Sequence, residues 1–315
     1  MNAPVPRVLA GLLISAGLLF ATGVAAQSGD VFHRVEHRYA DSDGVSIHYA
    51  VLTQSDSDAP LVVMVHGFPD FWYTWRDQMT ALAGAGYRVA AMDTRGYNLS
   101  DQPETVEAYA LEYLVSDVAA VIEAEGEERA IVVGHDWGGW ISWTVAMHRP
   151  DVVERLVILN LPHPAGLARE LAKNGQQAEN SQYARNFQME SSHENLSAAG
   201  LSGWVSDEAA KARYVEAFER SSFFGMMAYY KANYPREPYE PMPEPIARVQ
   251  APVLQIHGLD DQYLLHPALD GTWEWLDGPY TLVTLPGVGH FVQEQADDAV
   301  NEAMLKWLGA ADAYR

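Results

Sequence analysis

The hydrophobic pattern of the chain alternates between short apolar runs and longer segments with helical periodicity. The short runs are rich in Val, Ile and Leu and predict strands at 46–52, 61–66, 88–92, 130–133, 156–159, 253–257 and 280–285. The longer segments predict helices at 74–85, 109–125, 137–148 and 294–308. Several of the runs are apolar on both faces, as in strands that helices cover on both sides. The alternation therefore predicts an α/β fold with a mostly parallel sheet and helices on both faces.

One segment interrupts this alternation. From 165 to 240 the chain is polar and helical, offers no good strand candidate, and ends in the proline-rich stretch 234–243. A connection of about seventy residues is long for one crossover between parallel strands. We therefore predict a helical cap at 165–240, inserted into a core formed by 27–164 and 241–315. An ordinary helical layer on the sheet is the alternative.

The N-terminal stretch has the pattern of a secretory signal peptide. Arg7 precedes an apolar run that continues to Phe20, and Val24-Ala25-Ala26 supplies the small residues of a cleavage site. We therefore expect 1–26 to be removed and the mature protein to be exported, either to the periplasm or to the medium. An uncleaved membrane anchor is the alternative, because the apolar run approaches the length that spans a bilayer.

The composition narrows the classes of partner. The 42 acidic and 20 basic side chains give a net charge of −22, which argues against binding to nucleic acid or to an anionic membrane. Apolar residues make up 48% of the 315 residues, enough for a large core. With no cysteine, the chain forms no disulfide and carries no thioether-linked lipid. The composition leaves the oligomeric state open.

A nucleophile turn follows the strand at 130–133 and opens the helix at 137–148. Its sequence spaces Gly134, Asp136 and Gly138 as glycine, any residue, nucleophile, any residue, glycine. A serine that attacked a saturated carbon would leave an ether, whereas a carboxylate leaves an ester that water can cleave. Asp136 therefore indicates a substrate with an electrophilic saturated carbon, such as an epoxide or an alkyl halide. The alternative is that Asp136 only caps the helix.

The loop after the strand at 61–66 has the sequence His66-Gly67-Phe68-Pro69. In a fold with this nucleophile turn, that loop and the residue after the nucleophile each donate one backbone N–H to an oxyanion hole. We assign these two donors to Phe68 and Trp137.

A histidine and an acid follow late strands. His290 lies between the last strand and the last helix and is flanked by glycine at 289, which makes it the expected general base. Asp260 and Asp261 both follow the strand at 253–257, and either can orient the imidazole. The order nucleophile, acid, histidine is that of the α/β-hydrolases.

These motifs resemble those of the soluble, capped epoxide hydrolases of the α/β-hydrolase superfamily. The similarity is densest at 66–76, continues through 85–89, 92–97 and the turn at 134–139, and extends over nearly the whole mature chain. It implies an α/β-hydrolase fold and conversion of an epoxide and water to a vicinal diol through a covalent aspartyl ester. It also implies Asp261 rather than Asp260 as the acid, and neither a metal nor an organic cofactor.

The resemblance further implies two cap tyrosines that hold and protonate the epoxide oxygen. Tyr183 starts the family's pattern of Tyr, three residues, Phe-Gln, and Tyr230 precedes a lysine after an aromatic residue. Tyr229 is the alternative to Tyr230. We expect apolar cap residues to close the substrate pocket, namely Phe187, Met189, Phe223, Phe224 and Met226.

Two positions depart from the family pattern. Asn98 stands where the family usually has glycine, and asparagine tolerates the positive φ that such a turn requires. Asn160 stands where an exported branch of the family has a glutamate as its acid. That branch also has a histidine in the cap, where this chain has Tyr183, so we expect the mechanism in which two cap tyrosines act on the epoxide oxygen.

Two rival functions use the same scaffold. A dehalogenase would use the same Asp136 nucleophile, but the haloalkane type favours asparagine at position 68 and the fluoroacetate type favours arginines after the nucleophile, where this chain has Phe68, Trp137 and Trp140. A receptor that binds a small molecule without turnover is the rival of another class. The intact set of nucleophile, acid and base argues against it.

Overall fold

The computed structural model describes Met1 and residues 30–54 and 59–310. The signal peptide predicted at 1–26 therefore lies outside the described residues, apart from Met1. Among the helices described, none combines the length and the apolar character needed to cross a membrane.

The described residues form one sheet of eight strands in the order β1-β2-β4-β3-β5-β6-β7-β8. The strands are β1 (Glu36–Ser42), β2 (Val45–Leu52), β3 (Leu61–Val65), β4 (Arg88–Met92), β5 (Ala130–His135), β6 (Val153–Leu159), β7 (Val253–Gly258) and β8 (Tyr280–Leu285). Strand β2 pairs antiparallel with β1 and β4, and all pairs from β4 to β8 are parallel. The predicted fold class, a mostly parallel sheet with helices, is confirmed.

Strand β1 was not predicted from the hydrophobic pattern. It is an edge strand that buries only Ala40 and Ser42, so its sequence carries almost no apolar signal. The turn to β2 uses Asp43 and Gly44, both with positive φ. Asp-Gly is a strong signal for a two-residue hairpin, and it was the available clue to this strand.

The core helices lie on both faces of the sheet. They are α1 (Arg76–Gly84), α2 (Leu111–Ala124), α3 (Trp137–His148), α10 (Val292–Gln295) and α11 (Asp297–Gly309). The chain moves one way along the sheet from β3 to β4 and the opposite way from β4 to β5 and β6. Since such crossovers are right-handed, α1 lies on one face with α11, and α2 and α3 lie on the other.

Six α-helices lie between β6 and β7. They are α4 (Pro164–Ala172), α5 (Gln176–Asn180), α6 (Gln182–Phe187), α7 (Ala198–Leu201), α8 (Glu208–Arg220) and α9 (Phe223–Asn233). They occupy the segment in which the cap is predicted, and we call 165–240 the cap segment. Its boundaries with the core stay a prediction.

The centre of the core is the pair of strands β3 and β5, whose residues are all buried. Full burial of a Val or Leu side chain contributes about 1.5–3 kcal/mol, so the burial of these two strands stabilises the sheet. The loops that follow them begin at His66 and Asp136. Both loops are therefore attached to fully buried strands.

The turn at Asn98 keeps the geometry expected of it. Its φ is 44°, in the left-handed region that asparagine tolerates. Its side chain donates to Oδ2 of Asp93 at 2.7 Å and accepts from Nε of Arg220 at 3.0 Å. Asparagine thus replaces glycine here and adds a link between the core and α8.

Candidate active site

Asp136 occupies a sharp bend between β5 and α3. Its φ of 50° lies in the left-handed region, where a residue other than glycine is held at a cost of about 1–3 kcal/mol. The bend requires glycine beside it, because a Cβ on Gly138 would lie 1.9 Å from the carbonyl oxygen of Val65. Close contact between α3 and β3 therefore sets the carboxylate at the carboxyl edge of the sheet.

The carboxylate of Asp136 is buried but ionised. Oδ1 accepts the backbone N–H of Phe68 at 2.8 Å. Burial raises the pKa of this carboxyl, but the contact and charge of His290 outweigh burial and hold the pKa below its usual value of 3.8. Trp137 is the first residue of α3, where a backbone N–H has no acceptor within the helix. The two N–H groups predicted for an oxyanion hole thus belong to the loop after β3 and to the first residue of α3, on either side of Asp136.

His290 lies between two carboxylates. Its Nδ1 is 2.8 Å from Oδ2 of Asp261, and its Nε2 is 3.6 Å from Oδ2 of Asp136. Burial lowers the pKa of His290, but the charges of Asp261 and Asp136 outweigh it and raise the pKa to about 10. The resting site therefore holds an imidazolium. Asp260, the other candidate acid, is exposed, whereas Asp261 is buried.

Hydrogen bonds hold Asp261 in place. Its Oδ1 accepts the backbone N–H groups of Tyr263 and Leu264 at 2.8 and 3.1 Å, and its Oδ2 accepts Nδ2 of Asn160 at 2.8 Å. Burial raises the pKa of this carboxyl, but His290 and these bonds bring it well below its usual range. Asn160, noted in the sequence only as a departure from the family, thus supports the acid.

His135 supports the backbone of His290. Burial lowers the pKa of His135 to about 4, so its ring is neutral at pH 7. Its Nε2 lies 2.9 Å from the carbonyl oxygen of His290 and donates to it. This histidine therefore positions the loop of His290.

The two predicted cap tyrosines come together over Asp136. Tyr183 and Tyr230 have ring centroids 6.1 Å apart and line one cavity with Asp136 and His290. Burial raises the pKa of both phenols well above 10, so both remain proton donors at neutral pH. The alternative, Tyr229, is bonded through its hydroxyl to the carbonyl oxygen of Arg95 at 2.8 Å.

The cavity above Asp136 has a volume of about 320 Å³. Core loops and the cap segment both line it, through Phe68, Pro69, Asp136, Tyr183, Phe187, Gly200, Leu201, Gly203, Trp204, Tyr230, Tyr263, His290 and Phe291. Among the described residues, no group of three or more His, Asp or Glu is arranged to hold a metal ion.

Four of the residues predicted to close the pocket do not line this cavity. Met189 is 64% exposed, and Met226 is fully buried in the packed interior. Phe223 and Phe224 are partly buried and pack against the hydrophobic core from outside, and Phe224 also contacts His193 and Lys231. These residues were expected in the pocket because they are hydrophobic residues of the cap segment. Hydrophobicity alone carries no information on the direction of each side chain.

Some residues that line the cavity were not predicted, and the sequence held a clue to only some of them. Tyr263 lies two residues after Asp261, and Phe291 follows His290, so their position beside the acid and base was a clue. Leu201 and Trp204 lie at the end of α7 and in the turn after it, where we see no signal in the sequence. Trp204 stacks on Phe291 with ring centroids 3.7 Å apart, which joins the cap segment to the loop of His290.

A further contact joins the cap segment to the core. The hydroxyl of Tyr214 on α8 lies 2.6 Å from Oδ1 of Asp70 and 3.2 Å from Oε1 of Glu294. Burial raises the pKa of Asp70 well above its usual value. Asp70 follows the loop of Phe68, and Glu294 follows the loop of His290. Tyr214 of the cap segment therefore contacts one residue just after each of the loops that contain Phe68 and His290.

A family model described as the alpha/beta hydrolase fold matches residues 60–297 of the chain. Among curated proteins, "Epoxide hydrolase 1" of Caenorhabditis elegans is 34% identical over 87% of this chain and 70% of its own length. "Epoxide hydrolase A" of Mycobacterium tuberculosis is 30% identical over 86% of this chain and 96% of its own length.

Solved structures of epoxide hydrolases are also similar to this chain. An epoxide hydrolase of Bacillus megaterium in complex with an inhibitor superposes with a TM-score of 0.78 at 31% identity, over 86% of this chain and 100% of that one. One of a group of epoxide hydrolases found in metagenomes from hot environments superposes with a TM-score of 0.77 at 33% identity, over 87% of this chain and 98% of that one.

Proposed function

The chain belongs to the epoxide hydrolases of the α/β-hydrolase family, and we propose that it converts an epoxide and water to a vicinal diol through an ester of Asp136. One observation carries this proposal: a single cavity brings the carboxylate of Asp136 together with the phenols of Tyr183 and Tyr230 and the imidazole of His290. The names of its relatives favour an epoxide over the alkyl halide that the same nucleophile would accept.

The first step forms the ester. Oδ2 of Asp136 attacks one epoxide carbon, and the bond from that carbon to the epoxide oxygen breaks. The electron pair goes to the oxygen, which takes a proton from Tyr183 or Tyr230. Because Asp136 loses its charge in this step, the imidazolium of His290 loses an ion-pair partner. His290 then restores the proton of the phenol and becomes neutral.

The second step cleaves the ester. Neutral His290 takes a proton from water, and the resulting hydroxide attacks the carbonyl carbon of Asp136. The backbone N–H groups of Phe68 and Trp137 stabilise the oxyanion that forms. The bond from that carbon to the alkyl oxygen then breaks, and the diol leaves with a proton from His290. Asp136 is left as a carboxylic acid, gives its proton to His290, and so returns to its ionised form beside the imidazolium.

A change in the pKa of His290 separates the two steps. In the resting enzyme two carboxylates hold the proton on this residue. In the ester only Asp261 remains charged, so the pKa falls and the imidazole can act as a base. The nucleophile thus creates its own general base by reacting.

A single turnover in ¹⁸O-labelled water tests the ester route. With enzyme in excess over styrene oxide, the first diol takes its second oxygen from Asp136 and contains no label. The label enters the protein instead and can be located by mass spectrometry of the peptide that contains Asp136. Label in the first diol would show direct attack by water and would overturn the proposal.

The signal peptide predicted at 1–26 leads us to propose that the protein is exported. The apolar run that ends at Val24-Ala25-Ala26 supports cleavage after Ala26 and release to the periplasm or the medium. N-terminal sequencing of protein made in a Gram-negative host should start at Gln27. A mature protein that retains 1–26 in the membrane fraction would support the anchor instead.

A further inference from the structure

The space above Asp136 divides into two unequal arms. Asp136, Tyr183 and Tyr230 line both the cavity of about 320 Å³ and a second space of about 10 Å³. The remaining walls of the two spaces have no residue in common. We call the first space the large arm and the second the small arm, which is closed by Trp137, Trp140, Leu161, Tyr234 and Leu264.

The small arm admits only a very small group. A space of about 10 Å³ is close to the minimum that holds one water molecule. Its walls are firm, because Trp137 and Trp140 stack with ring centroids 5.2 Å apart and the hydroxyl of Tyr234 bonds to Oγ of Ser181 at 2.9 Å. Leu161 and Leu264 are each 2% exposed. Enlarging this arm would therefore require displacement of packed side chains.

The large arm suits an apolar group of the size of an aromatic ring system. Aromatic and aliphatic side chains form most of its walls, among them Phe187, Leu201 and the stacked pair Trp204 and Phe291. Among the described residues that line it, none is a lysine or arginine. The imidazolium of His290 is already paired with two carboxylates, so a substituent with a carboxylate or phosphate would find no unpaired cation among these residues.

We infer that this enzyme selects epoxides with one bulky apolar substituent on one carbon and nothing larger than a methyl group on the other. The inference rests on the proposed function. With the epoxide oxygen on the phenols and one carbon at Asp136, the two ring carbons lie where the arms meet. A substituent on one carbon then extends into the large arm, and a substituent on the other must fit the small arm.

A graded series of substrates tests the inference. Styrene oxide carries hydrogen on its second carbon, and its trans homologues carry methyl, ethyl or n-propyl there. We expect kcat/KM for the methyl compound to lie within about tenfold of styrene oxide and kcat/KM for n-propyl to fall by about 100-fold or more. Equal rates along the series would overturn the inference and leave the proposed function intact. If styrene oxide itself gives no diol, both fall.

A matched pair of variants assigns the limit to the small arm. Leu264→Ala removes three carbon atoms from its wall and should raise kcat/KM for the n-propyl compound by about tenfold. Leu201→Ala removes the same number of carbon atoms from the wall of the large arm. It should leave unchanged the ratio of kcat/KM for the n-propyl compound to kcat/KM for styrene oxide. If Leu201→Ala raised that ratio and Leu264→Ala did not, the large arm would set the limit on substituent size, and the inference would be overturned. The wild-type series decides the question if a variant fails to fold.

Discussion

Nε2 of His290 lies 3.6 Å from Oδ2 of Asp136, a distance that allows an ion pair but exceeds a hydrogen bond. The base is therefore next to the nucleophile without a hydrogen bond to it, while Nδ1 is bonded at 2.8 Å to Asp261. Oδ2 stays available to attack carbon.

Replacing His290 should separate the two steps. His290→Gln puts an amide of similar size in place of the imidazole and so removes the base, and the ester on Asp136 should form and persist. Intact-protein mass spectrometry should show an increase equal to the mass of the substrate, and steady-state turnover should fall by about 10²–10⁴-fold. An unmodified mass after incubation with styrene oxide would count against a role for His290 in ester cleavage.

The two steps should respond differently to pH. The pKa of Asp136 lies below 3.8 and that of His290 is about 10 in the resting enzyme, so the rate of ester formation should be constant from about pH 5 to about pH 9. Ester cleavage needs neutral His290, whose pKa falls once Asp136 is uncharged. Its rate should therefore rise with pH and level off below pH 10. Stopped-flow single turnovers can follow both phases through tryptophan fluorescence, and cleavage that slows as pH rises would contradict this assignment.

Removing one cap phenol should slow ester formation. Tyr183→Phe and Tyr230→Phe each leave one proton donor, so we expect the single-turnover rate of ester formation to fall by about 10- to 100-fold in each. The double variant should lose about 10³-fold or more.

Tyr229→Phe is the matched control for Tyr230→Phe. The hydroxyl of Tyr229 bonds to the carbonyl oxygen of Arg95 rather than facing the cavity. Its loss should lower the free energy of unfolding by about 1 kcal/mol and leave ester formation within about twofold of wild type. A larger effect on rate from Tyr229→Phe than from Tyr230→Phe would reverse the assignment.

The bend at Asp136 should not tolerate a side chain at Gly138. A Cβ there would lie 1.9 Å from the carbonyl oxygen of Val65, so Gly138→Ala should destabilise the fold by about 3 kcal/mol or more. Gly84→Ala is the control, because a Cβ at that position has no neighbour within 4 Å. Thermal unfolding measured by circular dichroism should separate the two variants, and equal melting temperatures would contradict the close contact.

The sequence allowed much of the candidate site to be predicted, because each motif follows a strand. Parallel strands end at the same edge of a sheet, so a nucleophile after β5, an acid after β7 and a histidine after β8 had to lie near one another. Asp136, Asp261 and His290 meet there. Their catalytic roles, like those of the two tyrosines, stay predictions until they are tested.

The walls of the pocket could not be predicted in the same way. Phe187, Leu201 and Trp204 of the cap segment reach the cavity from helix ends or a turn, where neither period 3.6 nor period 2 fixes the direction of a side chain. Trp204 therefore went unnoticed, whereas Met189 was expected in the pocket and is exposed to solvent. Strand β1 was missed for a related reason, since an edge strand with few buried residues has little hydrophobic pattern.

The hydrogen bond from the backbone of Phe68 makes the two oxygens of Asp136 unequal. Oδ1 is held by the 2.8 Å bond, so in the proposed cycle it never leaves the protein. Oδ2 departs with each diol and is replaced by an atom from water. One carboxylate thus holds a permanent oxygen beside an oxygen that is renewed in every cycle, and prolonged turnover in heavy-oxygen water should saturate at one substituted atom per molecule of enzyme.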